Sequence, residues 1–283
     1  YVIGQNSIKQ RLIKSHSDNR MAHTQLFLGP EGSGTLPMAL AFAQYVNCKN
    51  PSETDSCGVC SSCVKFQRNS HADMHFYFPN NTTDGVKKSP ESVLLLNEWR
   101  DYLKSCNNYD KSSEWFNLLG VGNKQGSINV RDAKNLIEKM SMKPYEASYK
   151  IVIIWMAEKL NTDASNKLLK TLEEPPANTL IILIAERYEL IIPTVRSRAQ
   201  LVKFNSIDAD SISEAMANLS VDEEDSFKIG DMARIANGNW NEAVKLMNDA
   251  NLENEFFVQF RNWLRLCFAP KDFKALFNFN QEI

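Results

Sequence analysis

Up to about residue 205, apolar residues fall into short unbroken runs separated by stretches of helical period; beyond that only the helical period remains. Residues 5–20 place Ile8, Leu12 and Ile13 on one side of a helix. The run TQLFLG then ends at a glycine-rich loop, and PMALAFAQYVN reads as the helix that follows. Further on, INVRDAKNLIEKMSM starts extended and becomes an amphipathic helix, with Ala133, Leu136, Ile137 and Met140 at i, i+3, i+4 and i+7. YKIVIIWM and TLIILIAE are buried strands, and between them NTDASNKLLKTLEE is a helix stopped by Pro175 and Pro176. Strands apolar on both faces and alternating with helices predict a parallel sheet covered on both sides, an α/β domain over residues 1–205.

After LVKFN the segments DADSISEAMANL, SFKIGDMARIANG and NWNEAVKLMNDA predict a small all-α domain over 206–249. Residues 250–283 open another helical unit, with Phe256, Phe260 and Trp263 on one stripe. Residues 80–127 stand apart. Polar segments bracket a helical VLLLNEWRDYLKSC and an EWFNLL, which reads as an insertion that packs locally and carries no chemistry.

Hydrophobic residues make up 43% and charged residues 23%, an ordinary globular balance that argues against extended disorder. A net charge of −2 gives no global attraction to nucleic acid or to an anionic membrane. No apolar run nears the ~20 residues of a spanning helix, and YVIGQNSIKQ has no signal-peptide pattern, so a cytoplasmic protein with no membrane partner is expected. The chain begins without Met and stops soon after the aromatic stripe, so the gene product is expected to continue beyond residue 283.

Two motifs carry candidate chemistry. Gly29 and Gly34 have the separation of a phosphate-binding loop, with Gly32 between them, but Thr35 stands where the loop needs lysine and Leu36 where it needs a metal-binding hydroxyl. Four of the six cysteines, Cys48, Cys57, Cys60 and Cys63, follow the spacing C-x8-C-x2-C-x2-C. Four thiolates close a tetrahedral shell with no place for water, so a structural Zn²⁺ is expected over an iron–sulfur cluster or free thiols. His71 and His75 lie just downstream but are not needed as ligands; Cys106 and Cys267 read as small buried hydrophobes. Glu173 and Glu174 are neighbours on a helix, where side chains point ~100° apart, so they cannot flank one substrate; Lys170 is a candidate partner for them.

The glycine-rich loop, the four-cysteine module after the next helix, SNKLLKTLEEPP at 165–176 and TVRSRA at 194–199 occur together. In this combination the chain resembles the clamp-loader AAA+ family of bacterial DNA polymerase III, and within it the delta-prime subunits. The resemblance covers residues 1 to about 79 and 128 to about 250. It implies an AAA+ α/β domain with the zinc module (44–66) inserted, a small helical lid domain, and from residue 250 the start of an α-helical collar.

Motor subunits of that family carry an intact loop, two acids at the end of the next core strand, a polar sensor on the strand after it, and an arginine in the lid. Here Trp155 and Met156 hold the acid positions, Ala185 lies near the sensor position and Asn241 aligns with the lid arginine. The resemblance therefore implies a pseudo-ATPase with no ATP or Mg²⁺, whose Gly29, Gly32, Gly34 and Thr35 are vestigial. It also implies that Ser197 and Arg198 match a Ser-Arg-Cys motif whose arginine enters the nucleotide site of a neighbouring subunit, although Ala199 replaces the cysteine. Arg196 is the nearby rival. Implied partners are the tau/gamma ATPase subunits and the delta subunit, with the sliding clamp and primed DNA met through the complex. Two other readings remain: an ATP-binding motor subunit with a degenerate loop, and a zinc ribbon that binds nucleic acid.

Overall fold

The computed structural model describes residues 2–83, 85–121, 126–219 and 226–248; the expected collar, its aromatic stripe and Cys267 lie outside the described residues. Five strands form one sheet: β1 (Thr24–Leu28), β2 (Met74–Tyr77), β3 (Lys150–Trp155), β4 (Thr179–Ala185) and β5 (Gln200–Lys203). Their order is β2-β3-β4-β1-β5, and every neighbouring pair is parallel. Helix α1 (Asn6–Ser17) precedes β1. Parallel pairing needs crossovers, and helices supply them: α2 (Thr35–Val46), α3 (Ser61–Gln67), α4 (Leu96–Ser105), α5 (Ser112–Leu118), α6 (Val130–Ser141), α7 (Thr162–Glu173) and the short α8 (Pro193–Arg196).

The side-chain period of 2 divides each central strand between two cores. On β3, Ile151, Ile153 and Trp155 face a cluster with α1, α2 and α4, while Val152 and Ile154 face one with α6 and α7. On β4, Leu180, Ile182 and Ile184 join the first cluster and Ile181, Leu183 and Ala185 the second. Unbroken apolar runs were the mark of this two-sided burial. β2, HFY within MHFY, gave no comparable run and was not anticipated: four residues are too few for either rhythm to register.

Helix α6 starts on a capping box in which Asn129 accepts from the backbone N–H groups of Arg131 and Asp132, and Asp132 accepts from that of Asn129. The same Asp132 carboxylate accepts from Asn80 Nδ2 at 3.0 Å and Ser92 N at 2.7 Å. Asn80 and Ser127 exchange two backbone hydrogen bonds, so the 80–127 segment leaves and rejoins the sheet at one place. Its α4 and α5 press Trp99, Tyr102 and Trp115 into the first core against Phe78 and Trp155, with Trp99 stacked 4.4 Å from Phe78 and tilted 5.0 Å from Trp155. Trp99→Ala is expected to cost about 3–5 kcal/mol, as truncation of a fully buried aromatic does. Trp99→Phe should cost much less, because the indole Nε1 is buried with no hydrogen-bond partner. Urea midpoints of the two variants check this, and equal losses would contradict it.

Beyond β5 lie α9 (Ala209–Ala217), α10 (Ser226–Ile235) and a helical stretch over 240–248. Ile207, Ile212, Met216, Ala233 and Trp240 build a third cluster, which also takes in Ile3 and Tyr109. Among the described residues no helix is long and apolar enough to cross a membrane.

Candidate functional site

The glycine-rich loop leaves the carboxyl end of β1, the crevice side of an open parallel sheet where ligands usually bind. Gly29 N–H donates to Ala185 O at 3.2 Å, which ties the loop to the end of β4. Gly32 and Gly34 have φ of 73° and 91°, in the left-handed region that side chains other than glycine resist, and Thr35 opens α2. The two glycines thus carry the turn from the end of β1 into α2.

Its space is taken by the chain itself. Asp110, from the turn between α4 and α5, accepts a 2.5 Å hydrogen bond from Trp155 Nε1 at the end of β3. Asn241 Nδ2 donates to the Asp110 carbonyl at 2.8 Å, and Trp240 N–H donates to Gly32 O at 3.2 Å. A Cβ on Gly32 would stand 1.9 Å from Asn239 Oδ1, so loop and helix are in direct contact. What remains between Glu31, Thr35, Asp110, Trp155, Glu158 and Glu186 is a cavity of about 10 Å³, room for one water at most. Burial pushes the Asp110 carboxyl up to about 6, and burial likewise raises Glu31 and Glu158. Three acidic side chains thus converge beside the loop, each with its charged form disfavoured by burial. Trp155 and Met156 hold the strand-end positions; the one acid downstream, Glu158, accepts from Glu186 N–H at 3.2 Å.

Arg198 follows α8, two residues before β5. Its Nε donates to Glu173 Oε2 at 2.8 Å and its Nη1 to Thr194 O at 3.0 Å. Glu173, expected to find Lys170, is instead bound by this arginine, and the pair is solvent-accessible on both sides, 28% and 57%. Ser197 Oγ donates to Thr194 O at 3.2 Å. Arg196 lies 4.7 Å over the Tyr188 ring and is occupied there. Ala199 packs against the second core.

The four cysteine sulfurs, three from the α2–α3 connection and Cys63 from the first turn of α3, all lie within 4.8 Å of one another, with Cys57 and Cys63 Sγ 3.9 Å apart. A tetrahedron with metal–sulfur bonds of about 2.3 Å has edges of about 3.8 Å, so this set fits one ion. Backbone N–H groups already point at the sulfurs: Cys57 N at Cys48 Sγ, Cys60 N at Cys57 Sγ and Cys63 N at Cys60 Sγ, at 3.2–3.4 Å. The bond from Cys63 N–H is the largest influence drawing the Cys60 thiol down to about 6, toward the thiolate a metal needs. His71 stacks on Phe66 at 4.3 Å and stays outside the cluster. Cys106 packs, half-buried, against the first core.

Residues 4–208 match the family described as DNA polymerase III, delta subunit. The chain belongs to this clamp-loader AAA+ family. Among curated relatives it is 27% identical over 255 residues to DNA polymerase III subunit tau of Bacillus subtilis, covering 88% of this chain and 37% of that protein. It is 25% identical over 220 residues to subunit delta' of the same organism, covering 76% and 53%. The delta' subunit of Pseudomonas aeruginosa is 25% identical over 177 residues, covering 62% and 41%. The chain thus spans between about a third and a half of the length of these relatives. A gamma subunit-related protein of Thermotoga maritima overlaps 81% of this chain and 58% of its own at 17% identity, with a TM-score of 0.42, an overlap too loose to argue from.

Within this family member, the loop, the strand-end substitutions and the cysteine set were all visible in sequence. The Tyr109-Asp110-Lys111 turn was not: the 80–127 segment was expected only to pack locally, yet it also fills the crevice. Its only sequence signal is Asn107-Asn108 ahead of an aromatic and an acid, a turn pattern that says nothing of where the turn lands.

Proposed function

We propose that this chain is a delta-prime-type subunit of the DNA polymerase III clamp loader, a pseudo-ATPase that does not bind or hydrolyse nucleotide. It would sit beside the tau/gamma ATPase subunits and the delta subunit, and help place the sliding clamp on primed DNA. Gly29, Gly32, Gly34 and Thr35 keep the loop as part of the fold, and Arg198, with Ser197 behind it, is the arginine finger offered to a neighbour's nucleotide. The observation that carries this reading is the occupied crevice: Asp110 and Trp155 are bonded across the place where phosphate and metal would meet, and about 10 Å³ is left. An always-charged guanidinium on an exposed ion pair supports the second half, since it can leave Glu173 at little cost. Cys48, Cys57, Cys60 and Cys63 hold a structural Zn²⁺.

Calorimetric titration of the chain with ATP and Mg²⁺ tests the core of this proposal. No heat of binding is expected up to millimolar nucleotide, and Mg²⁺-dependent micromolar binding would replace the proposal with a motor subunit of altered loop.

A further inference from the structure

Three consecutive residues of the turn between α4 and α5 reach three separate parts of the molecule. The Tyr109 hydroxyl accepts from Ile3 N–H at 2.7 Å, and its ring lies 5.9 Å from that of Trp240. Asp110 joins Trp155 through its carboxylate and Asn241 through its carbonyl. Lys111 Nζ lies 3.3 Å from Glu242 Oε1. Its partners therefore come from the N-terminal residues, from the end of β3 and from the 240–248 helix.

The turn is shaped before it reaches them. Asn107 and Asn108 take φ of 49° and 66°, a conformation asparagine tolerates better than most residues, and Tyr109 N–H closes on Cys106 O at 2.9 Å. From behind, the Tyr102 hydroxyl bonds both the N–H and the carbonyl of Lys111, at 2.6 and 2.9 Å. Tyr102 itself stands in the aromatic core with Trp115 and Trp155. The turn is thus the tip of a stiff strut, and its contacts form without ordering a loose loop.

We infer that residues 106–111 are a tethered ligand: they fill the space between the phosphate loop and the 240–248 helix, and hold the C-terminal helices against the α/β core in place of a nucleotide. This rests on the non-hydrolysing reading and deepens it. A diffusible ligand that bridges two bodies must be captured and released, and the angle between the bodies changes with each cycle. A ligand in the same chain is always present, so the angle is set once, on folding. Among the described residues, Trp240 N–H to Gly32 O joins the 240–248 helix to the loop as well, and Gln5 Nε2 reaches the carbonyl of Asn205.

Hydrogen exchange on the full chain tests the inference. In the wild type, protection over 207–217 and 240–246 is expected to be the same with and without ATP and Mg²⁺. Replacing Tyr109 and Asp110 together by alanine removes the Tyr109 ring from Trp240 and the two bonds that seat the turn on Ile3 and Trp155; it should speed exchange there about tenfold and leave Val152–Ile154 and β4 unchanged. Asn241→Ala, which cuts the link from the far side and leaves the aromatic core alone, should speed it about threefold. Unchanged exchange in both variants overturns the tethered ligand while leaving the non-hydrolysing reading intact. Protection gained by the wild type on adding ATP overturns that reading, and the inference with it. If the paired variant loses protection in β3 and β4 as well, it has unfolded, and Asn241→Ala alone decides.

Discussion

Arg198→Ala in the assembled clamp loader is expected to lower clamp- and DNA-stimulated ATP turnover by about a hundredfold, with assembly unchanged. A trans-acting arginine contributes ~10³ to 10⁵ where it meets the transferring phosphoryl group, and residual charge from other groups in a multi-site machine reduces what one substitution removes. In the free chain the guanidinium is held by Glu173 and the Thr194 carbonyl. An exposed ion pair of this kind contributes about 0–1 kcal/mol, far less than the contact proposed in the assembly, so the arginine can exchange one partner for the other. Glu173→Ala should accordingly leave turnover within about twofold of wild type. Arg198→Lys should restore only part of it, since an ammonium lacks the planar fork that meets two phosphate oxygens. Turnover unchanged in Arg198→Ala, in a loader shown by sedimentation to be complete, would make the residue a structural ion pair.

Removal of the metal should have the other large effect. Zinc analysis of the purified chain is expected to give one ion per molecule, and Cys57→Ser or prolonged chelation should release it. Apparent binding energies of structural zinc are on the order of 10 kcal/mol, and such a module has little else to fold around. Of α3 only Ser62, Cys63 and Phe66 are buried, while the 49–55 loop is exposed and held by Lys9–Asp55 at 2.9 Å and Gln44 to Ser56 at 2.7 Å. Exchange of the α3 amides should therefore rise to near the unfolded rate while β1 and β4 stay protected. A brown chain with iron and labile sulfide would overturn the zinc assignment, and a metal-free chain with α3 still protected would overturn the metal centre altogether.

The candidate site was legible to unequal degrees. A phosphate loop is a local object, written in the spacing of Gly29 and Gly34, and its lost lysine is visible at Thr35. The cysteine set is local too, because all four ligands fall within sixteen residues. Arg198 was legible only by likeness to a motif, and nothing in the spacing foretold Glu173 as its partner, since the helix end and the turn after α8 meet only once β4 and β5 are placed on either side of β1.

Asp110 shows the limit most clearly. Composition marks it as one more surface acid in a polar turn, and its burial against Trp155 arises only when α4 and α5 fold back across the first core. Periodicity in the chain specified the elements and which faces they bury, because a side chain's direction within a strand or helix follows from its neighbours alone. Which element fills the crevice beside the loop is a matter of contacts between residues more than a hundred positions apart, such as Asp110 with Asn241 and Tyr109 with Ile3. Packing and hydrogen bonding at that range depend on three-dimensional closure, which no local pattern encodes.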